Sequence, residues 1–172
     1  MNSEVIKDFY SELGFPGPYT WEDIQFYEQE GIHNIYLRAI DQHLQDHTDI
    51  LDVGCGTGLV SNLFASRYNS NFTAVDFSNS IEYAQQFAVA NNIDNVKWIK
   101  QDFTKLKSEK KYDTIICCGV LHHIPEYKKA LEKIKYLLKP GGKLLLALYN
   151  PWGKFLKRYF RIRYHSPILY QD

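Results

Sequence analysis

The sequence has little from which to build a crosslinked, fibrous or membrane-spanning protein. Its 172 residues include three cysteines, six prolines, ten glycines and one methionine, which excludes a disulfide framework and a collagen-like chain. Cys55, Cys117 and Cys118 cannot all pair with one another, and two of them are adjacent, so they are read as reduced thiols. No run approaches the roughly 18 apolar residues of a membrane span. Met1–Gly14 has no basic stretch leading into an apolar one, so no secretory signal is expected and the cytoplasm is the expected compartment. Net charge is missing too: 20 basic against 20 acidic side chains exclude a globally basic nucleic-acid binder, and a hydrophobic fraction of 45% excludes a disordered tail. What is left is one domain long enough to bury its own core.

The neutrality is a balance of unlike segments. Residues 1–48 hold nine acids and two bases, residues 49–150 thirteen bases and ten acids, and residues 151–172 five bases and one acid. The acidic front has helical texture. Ser3 caps a helix ending at Gly14, Gly14-Phe15-Pro16-Gly17-Pro18 forms a turn, and Thr20-Trp21-Glu22-Asp23 resembles a capping box opening another helix. Ile24, Tyr27, Ile32, Ile35, Tyr36, Ala39 and Ile40 keep helical spacing, with a break at Gly31. From residue 49, strand-like runs at 49–53, 72–76, 96–100, 112–118 and 143–149 alternate with helical ones at 58–68, 79–91 and 126–138. The last helix carries Ala130, Leu131, Ile134, Leu137 and Leu138 on one face and ends at Pro140-Gly141-Gly142. Such alternation implies a mostly parallel sheet covered on both faces, with ligands at the carboxyl ends of the strands where strand order reverses.

Ile50-Leu51-Asp52-Val53-Gly54-Cys55-Gly56-Thr57-Gly58 is the most informative stretch. A buried strand runs into three alternate glycines and then a helix, which lets a ligand approach the main chain closely. Two familiar versions of this arrangement are absent. The spacing is not the G-x-G-x-x-G of a dinucleotide site, and Gly58 is followed by Leu59 where a phosphate loop needs Lys and Ser or Thr. A nicotinamide cofactor is therefore disfavoured and a nucleoside triphosphate excluded.

Asp-x-Gly-x-Gly-x-Gly closely resembles the first motif of the class I S-adenosylmethionine-dependent methyltransferases. Further landmarks follow the family in order: Asp76, 22 positions after Gly54, a placement that also fits NAD; Gln101-Asp102-Phe103; the run from Tyr112 through Cys117, Cys118 and Gly119 to His122-His123-Ile124-Pro125; and Leu138-Lys139-Pro140-Gly141-Gly142-Lys143. The resemblance spans residues 49–149. It implies a Rossmann-like three-layer α/β sandwich that takes S-adenosyl-L-methionine and releases S-adenosyl-L-homocysteine. It further implies that the backbone of Gly54, Cys55, Gly56 and Gly58 approaches the cofactor, that Asp52 reaches its ammonium group through water, and that Asp76 takes the ribose. Phe77 would lie against the adenine, Asp102 and the Phe103 backbone would read its edge, and a carbonyl of Cys118 or Gly119 would accept from the ammonium group. The alternative for Asp76 and Asp102 is a strand-end acid capping the next helix.

Methyl transfer from a sulfonium needs alignment and dryness more than a metal, and no metal is expected. A base helps where the acceptor carries a proton, and histidine is the natural one. His122 and His123 follow the fourth strand, where three roles stay open: base, substrate positioning, or loop structure. If strand geometry persists, they face opposite ways. The family's nucleic-acid branch often carries Asn/Asp-Pro-Pro-Tyr/Phe after the fourth strand, and Gly119-Val120-Leu121-His122 stands there instead, so the resemblance is to the small-molecule branch, types 11 and 12. By that resemblance residues 1–48 are a helical lid over an acceptor pocket, residues 49–150 the cofactor core and residues 151–172 a basic aromatic tail. Tyr10 and Tyr19 are the lid residues proposed to meet substrate; the alternative is that the lid aromatics only dock helices on the sheet. The family sheet has seven strands, and 22 residues after Asn150 leave no room for two more and a helix. A fragment or a five-stranded variant is expected, its tail serving as a covering helix, a contact in a homo-oligomer or an anionic-partner patch. A cofactor-binding unit without its own activity is the competing functional reading.

Overall fold

The computed structural model describes residues 17–30 and 35–148. The expected helix between Ser3 and Gly14, which contains Tyr10, and the basic segment 151–172 lie outside the described residues.

The expected capping box is present at the first described helix, α1 (Trp21–Glu30). The Thr20 hydroxyl accepts from the Asp23 amide at 3.2 Å, and the Asp23 carboxylate accepts from the Thr20 amide at 2.6 Å, so two otherwise unbonded amides satisfy each other's side chains. A second helix, α2 (Ile35–Asp41), leads into β1 (Asp49–Val53). There follow α3 (Leu59–Ala65), β2 (Asn71–Asp76), α4 (Ser80–Ala90), β3 (Val96–Lys100), β4 (Tyr112–Cys118), α5 (Tyr127–Leu137) and β5 (Leu138–Ala147). Short 3₁₀ turns occupy Phe103–Lys105 and Leu121–His123.

The five strands form one sheet in the order β3-β2-β1-β4-β5, and every pairing is parallel. The chain runs outward from β1 to β3 and then returns to lay β4 on the other side of β1, so strand order reverses between β1 and β4. Inward-facing residues alternate with period two. Ile50, Phe72 and Ile116 join one core cluster, while Leu51, Val53, Val75, Ile115 and Cys117 join the other, with Ala130, Ile134 and Leu137 of α5.

The described part of residues 1–48 forms a wall of the first cluster. Tyr19, Ile24, Leu37, Ile40 and Leu44 are buried there beside Ile50 and Phe64. At roughly 1.5–3 kcal/mol for each fully buried aliphatic side chain, Ile24, Leu37 and Ile40 hold this segment firmly.

The strand β5 begins before the Pro-Gly-Gly turn instead of after it. Leu138 pairs with Tyr112 and Lys143 with Thr114, so five steps of β5 run beside two of β4. The turn is absorbed as a bulge, in which Gly141 takes φ +78° and a Cβ on Gly142 would lie 2.9 Å from the Lys139 carbonyl oxygen.

An ion cluster closes the amino edge of the sheet near this bulge. The Lys139 Nζ lies 3.1 Å from Asp49 and 2.8 Å from Asp113, Lys110 lies 2.8 Å from Asp49, and Asp113 also accepts from the Asp49 amide at 2.8 Å. Partial burial raises both carboxyls, but the hydrogen bonds to them (from Lys110 and Lys139 to Asp49, from the Asp49 amide and Lys139 to Asp113) win and hold them below their ordinary range. Groups with lowered folded values stabilise the fold above their unfolded value of about 3.9, and that stability is lost as pH falls through the folded values. Lys139→Met is therefore expected to melt below the wild type at pH 7, with the difference in melting temperature shrinking as pH falls below about 3.9; a gap independent of pH would assign the cluster no electrostatic role.

Candidate functional site

The carboxyl ends of β1 to β4 bring the expected acids and glycines to one edge, around the point where strand order reverses. The loop after β1 is tied to β2 first through its backbone. Gly54 and Cys55 both donate to the Val75 carbonyl, at 2.7 and 3.2 Å, and Gly58 donates to the Cys55 carbonyl at 2.8 Å. The side chain of Asp76 then bridges two loops: one carboxylate oxygen accepts from the Gly56 amide at 2.8 Å, the other from the Ser78 amide at 2.8 Å and hydroxyl at 2.7 Å. Of roughly four acceptor positions on a carboxylate, the described residues fill three and leave one.

The three glycines of the loop answer to different constraints. All three have positive φ, +72° at Gly54, +55° at Gly56 and +78° at Gly58, a region other residues enter at a cost. At Gly54 a Cβ would lie 2.2 Å from the Val120 side chain, and at Gly58 it would lie 2.4 Å from the Ala84 Cβ and 2.9 Å from the Trp98 ring. Two of the glycines are thus demanded by the chain's own packing. At Gly119, after β4, φ is +75° and a Cβ would meet nothing within 4 Å, so this glycine borders open space on the edge where a ligand is expected.

Asp52 is buried on β1, 4% exposed, and accepts from the Ser61 hydroxyl at 2.7 Å. Burial, with the Asp76 charge adding to it, pushes its carboxyl up to about 6 against the pull of the Ser61 bond. Asp102 caps the 3₁₀ turn that follows it: one oxygen accepts from the Thr104 amide at 2.8 Å and hydroxyl at 2.7 Å, so the capping alternative describes half of this carboxylate and the other oxygen stays available. The Phe103 ring is buried in the second core cluster, which leaves its backbone to face the edge, and Phe77 is half-buried just after β2.

Cys55 packs with Ala74 and Ile81, and burial raises its thiol well above the ordinary range; Cys117 is likewise pushed up to about 12, burial first among its causes. Both are packed, protonated thiols. Cys118 is half-buried at the end of β4, its thiol 3.7 Å from the Leu145 carbonyl.

Three placements differ from the sequence reading. His122 and His123 do not diverge: the chain leaves strand geometry at Cys118 and enters a 3₁₀ turn, so their rings lie side by side with centroids 4.0 Å apart and planes tilted by 52°. Tyr19 lies 6% exposed beneath the glycine loop, with its hydroxyl bonded to Thr57 and Asn62. Tyr36 was overlooked: burial first, then the neighbouring Cys118 and Asp52, raise its phenol, whose hydroxyl donates to the Cys118 sulfur. Its signal was present in the helical stripe with Ile40, where Tyr27 and Tyr36 are the members with a polar tip.

A family model for a methyltransferase domain matches residues 44–161. A ubiquinone biosynthesis O-methyltransferase of Rickettsia bellii is 33% identical over 121 residues, covering 68% of this chain and 49% of that protein. Among solved structures, coclaurine N-methyltransferase bound to N-methylheliamine and SAH is similar at 29% identity and a TM-score of 0.59, over 64% of this chain and 35% of that one. A SAM-dependent methyltransferase from Thiobacillus denitrificans in complex with S-adenosyl-L-homocysteine is similar at 25% identity and a TM-score of 0.58, over 70% and 53%. The chain spans about half the length of the curated relatives it matches.

The glycines separate by experiment. Gly58→Ala is expected to cost about 2–4 kcal/mol in denaturant unfolding, from left-handed strain plus overpacking on Ala84 and Trp98, whereas Gly119→Ala costs about 1–2 kcal/mol from the strain alone.

Proposed function

The chain belongs to the class I S-adenosylmethionine-dependent methyltransferases, and we propose that it binds S-adenosyl-L-methionine along the carboxyl edge of β1 to β4 and passes the methyl group to a small-molecule acceptor. The observation that carries this is the preformed carboxyl edge: Asp76 holds the glycine loop with one acceptor position to spare, Asp102 has a carboxylate oxygen uncommitted, and the backbone at Gly119 borders open space.

These residues fit the cofactor. The open position on Asp76 takes one ribose hydroxyl, and a second enters where the Ser78 hydroxyl gives way. The free oxygen of Asp102 suits an adenine amino group, beside the Phe103 amide, while Phe77 lies against the ring. Asp52, with the carbonyls of Cys118 and Gly119, faces the ammonium group, and the backbone of Gly54, Cys55, Gly56 and Gly58 lies along the ribose and methionine parts. When bound, the sulfonium supplies an activated methyl that an acceptor displaces in line, so the protein's task is to align the two and keep water out. His122 and His123 stand on the turn after β4, placed to orient the acceptor or receive its proton.

The acceptor is a small molecule rather than a base or amide, because Gly119-Val120-Leu121-His122 replaces the proline-rich turn after β4. No helix among the described residues is long and apolar enough to cross a membrane, and the three free thiols suit the cytoplasm. A second reading, a donor-binding unit that draws its acceptor contacts from elsewhere, is favoured by the chain covering about half of each relative; turnover of the methyl donor against a panel of phenols, amines and carbon acids separates the two.

Calorimetric titration with S-adenosyl-L-homocysteine tests the donor site. The wild type is expected to bind, and Asp76→Ala to bind at least about tenfold more weakly, since hydrogen bonds to a charged group are worth about 1.5–3 kcal/mol. Affinity is also expected to fall as pH drops from 7 to 5: Asp52, raised to about 6, must give up its proton to face an ammonium group. No binding at high micromolar ligand, or an unweakened Asp76→Ala, would contradict the assignment.

A further inference from the structure

Tyr19 lies in the first described segment, far in sequence from the glycine loop, yet its hydroxyl donates to the Thr57 carbonyl at 3.0 Å. Thr57 stands between Gly56, whose amide bonds Asp76, and Gly58, whose amide closes the loop on its own Cys55, so two distant parts of the chain, Asp76 and Tyr19, hold adjacent residues of a loop that is also bonded to itself. The same hydroxyl accepts from the Asn62 Nδ2 at 2.7 Å, and Asn62 gives its other hydrogen to the Ala84 carbonyl at 3.1 Å. The Asn62 Oδ1 has no partner among the described residues. An asparagine kept at 0% exposure with an unsatisfied oxygen is retained for its two donors, since an unpaired buried acceptor is a cost. One of those donors orients the Tyr19 hydroxyl, so that its proton points at the loop.

The peptide of Tyr19 is fixed as firmly as its ring. Its amide donates to the Tyr83 hydroxyl at 2.9 Å, and that hydroxyl donates back to the Tyr19 carbonyl. The ring packs edge-on against Tyr83 at 5.5 Å and against Phe87 at 4.5 Å. A phenylalanine would satisfy all of these ring contacts; only the hydroxyl reaches the loop. Burial raises the Tyr19 phenol, which keeps it a neutral donor at any ordinary pH.

We propose that Tyr19 is a positioning residue for the donor site: its hydroxyl sets the shape of the glycine loop, so that docking of residues 17–30 and binding of the methyl donor strengthen each other. The proposal rests on the donor-binding reading above. Coupling of this kind is reciprocal, because whatever holds the loop in its binding shape is itself held more tightly once the ligand is in place.

The full chain is tested with S-adenosyl-L-homocysteine in three variants beside the wild type. Tyr19→Phe is expected to raise the dissociation constant about fivefold or more while circular dichroism shows it folded at the titration temperature. Tyr83→Phe, which releases the Tyr19 peptide and leaves the hydroxyl in place, is expected to weaken binding in the same direction and keeps the test open should Tyr19→Phe not fold. Phe87→Leu, which loosens the ring packing and keeps the hydroxyl bonds, is expected to lower the melting temperature yet leave affinity within about twofold. Hydrogen exchange supplies the reciprocal readout: the ligand slows exchange in residues 17–30 of the wild type and does not in Tyr19→Phe. Wild-type binding with an equal affinity in Tyr19→Phe, or exchange in residues 17–30 that ignores the ligand, overturns the coupling alone. A wild type that binds no S-adenosyl-L-homocysteine overturns the donor-site reading and the coupling with it.

Discussion

The site depends on one carboxylate. Asp76 ends β2 and accepts at the same time from the glycine loop after β1, through Gly56, and from its own following turn, through Ser78. A loop rich in glycine has more backbone freedom to lose than any other, and an anionic acceptor roughly doubles the strength of the bonds that remove it. With Val75 holding Gly54 and Cys55 from the same strand end, β2 acts as the template on which the loop is set. The remaining walls follow: Val120 closes over Gly54, and Ala84 and Trp98 close over Gly58.

Much of this was legible in the sequence, for identifiable reasons. Strand and helix alternate with clear periods, so the first four strands and the three helices were placed to within a few residues, and the Thr20 to Asp23 box marked the start of α1. The motif acids fell at strand ends because the topology sends every parallel strand's carboxyl end to one edge. What escaped is what depends on distant contacts. The sequence cannot show that Gly54 and Gly58 are glycines because Val120, Ala84 and Trp98 stand over them, or that the Tyr19 hydroxyl bonds the glycine loop at Thr57. The start of β5 escaped for a different reason: Pro140-Gly141-Gly142 is a turn signal, and the sheet accommodates the turn as a bulge because Tyr112 and Leu138 already pair before it.

The acidic front acquires a physical meaning here. Glu22 and Asp23 lie on its exposed face, while Tyr19, Ile24, Leu37 and Ile40 enter the core. The described part of this segment is therefore built into the same core as β1 and α3, the elements on either side of the glycine loop.

The central claim is that the ligand edge lies at the carboxyl ends of the strands, around the loop that Asp76 holds. The amino edge offers a rival, a shallow cavity of about 150 Å³ lined by His43, Thr48, Asp113 and Gly141 to Lys143. Amide shift mapping of the ¹⁵N-labelled chain against S-adenosyl-L-homocysteine distinguishes them most directly. The account predicts that the largest shifts fall at Gly54, Gly56, Phe103 and Gly119, with Gly141 and Gly142 unmoved. Shifts gathered at residues 43–48 and 140–143, or no shifts at saturating ligand, would contradict it.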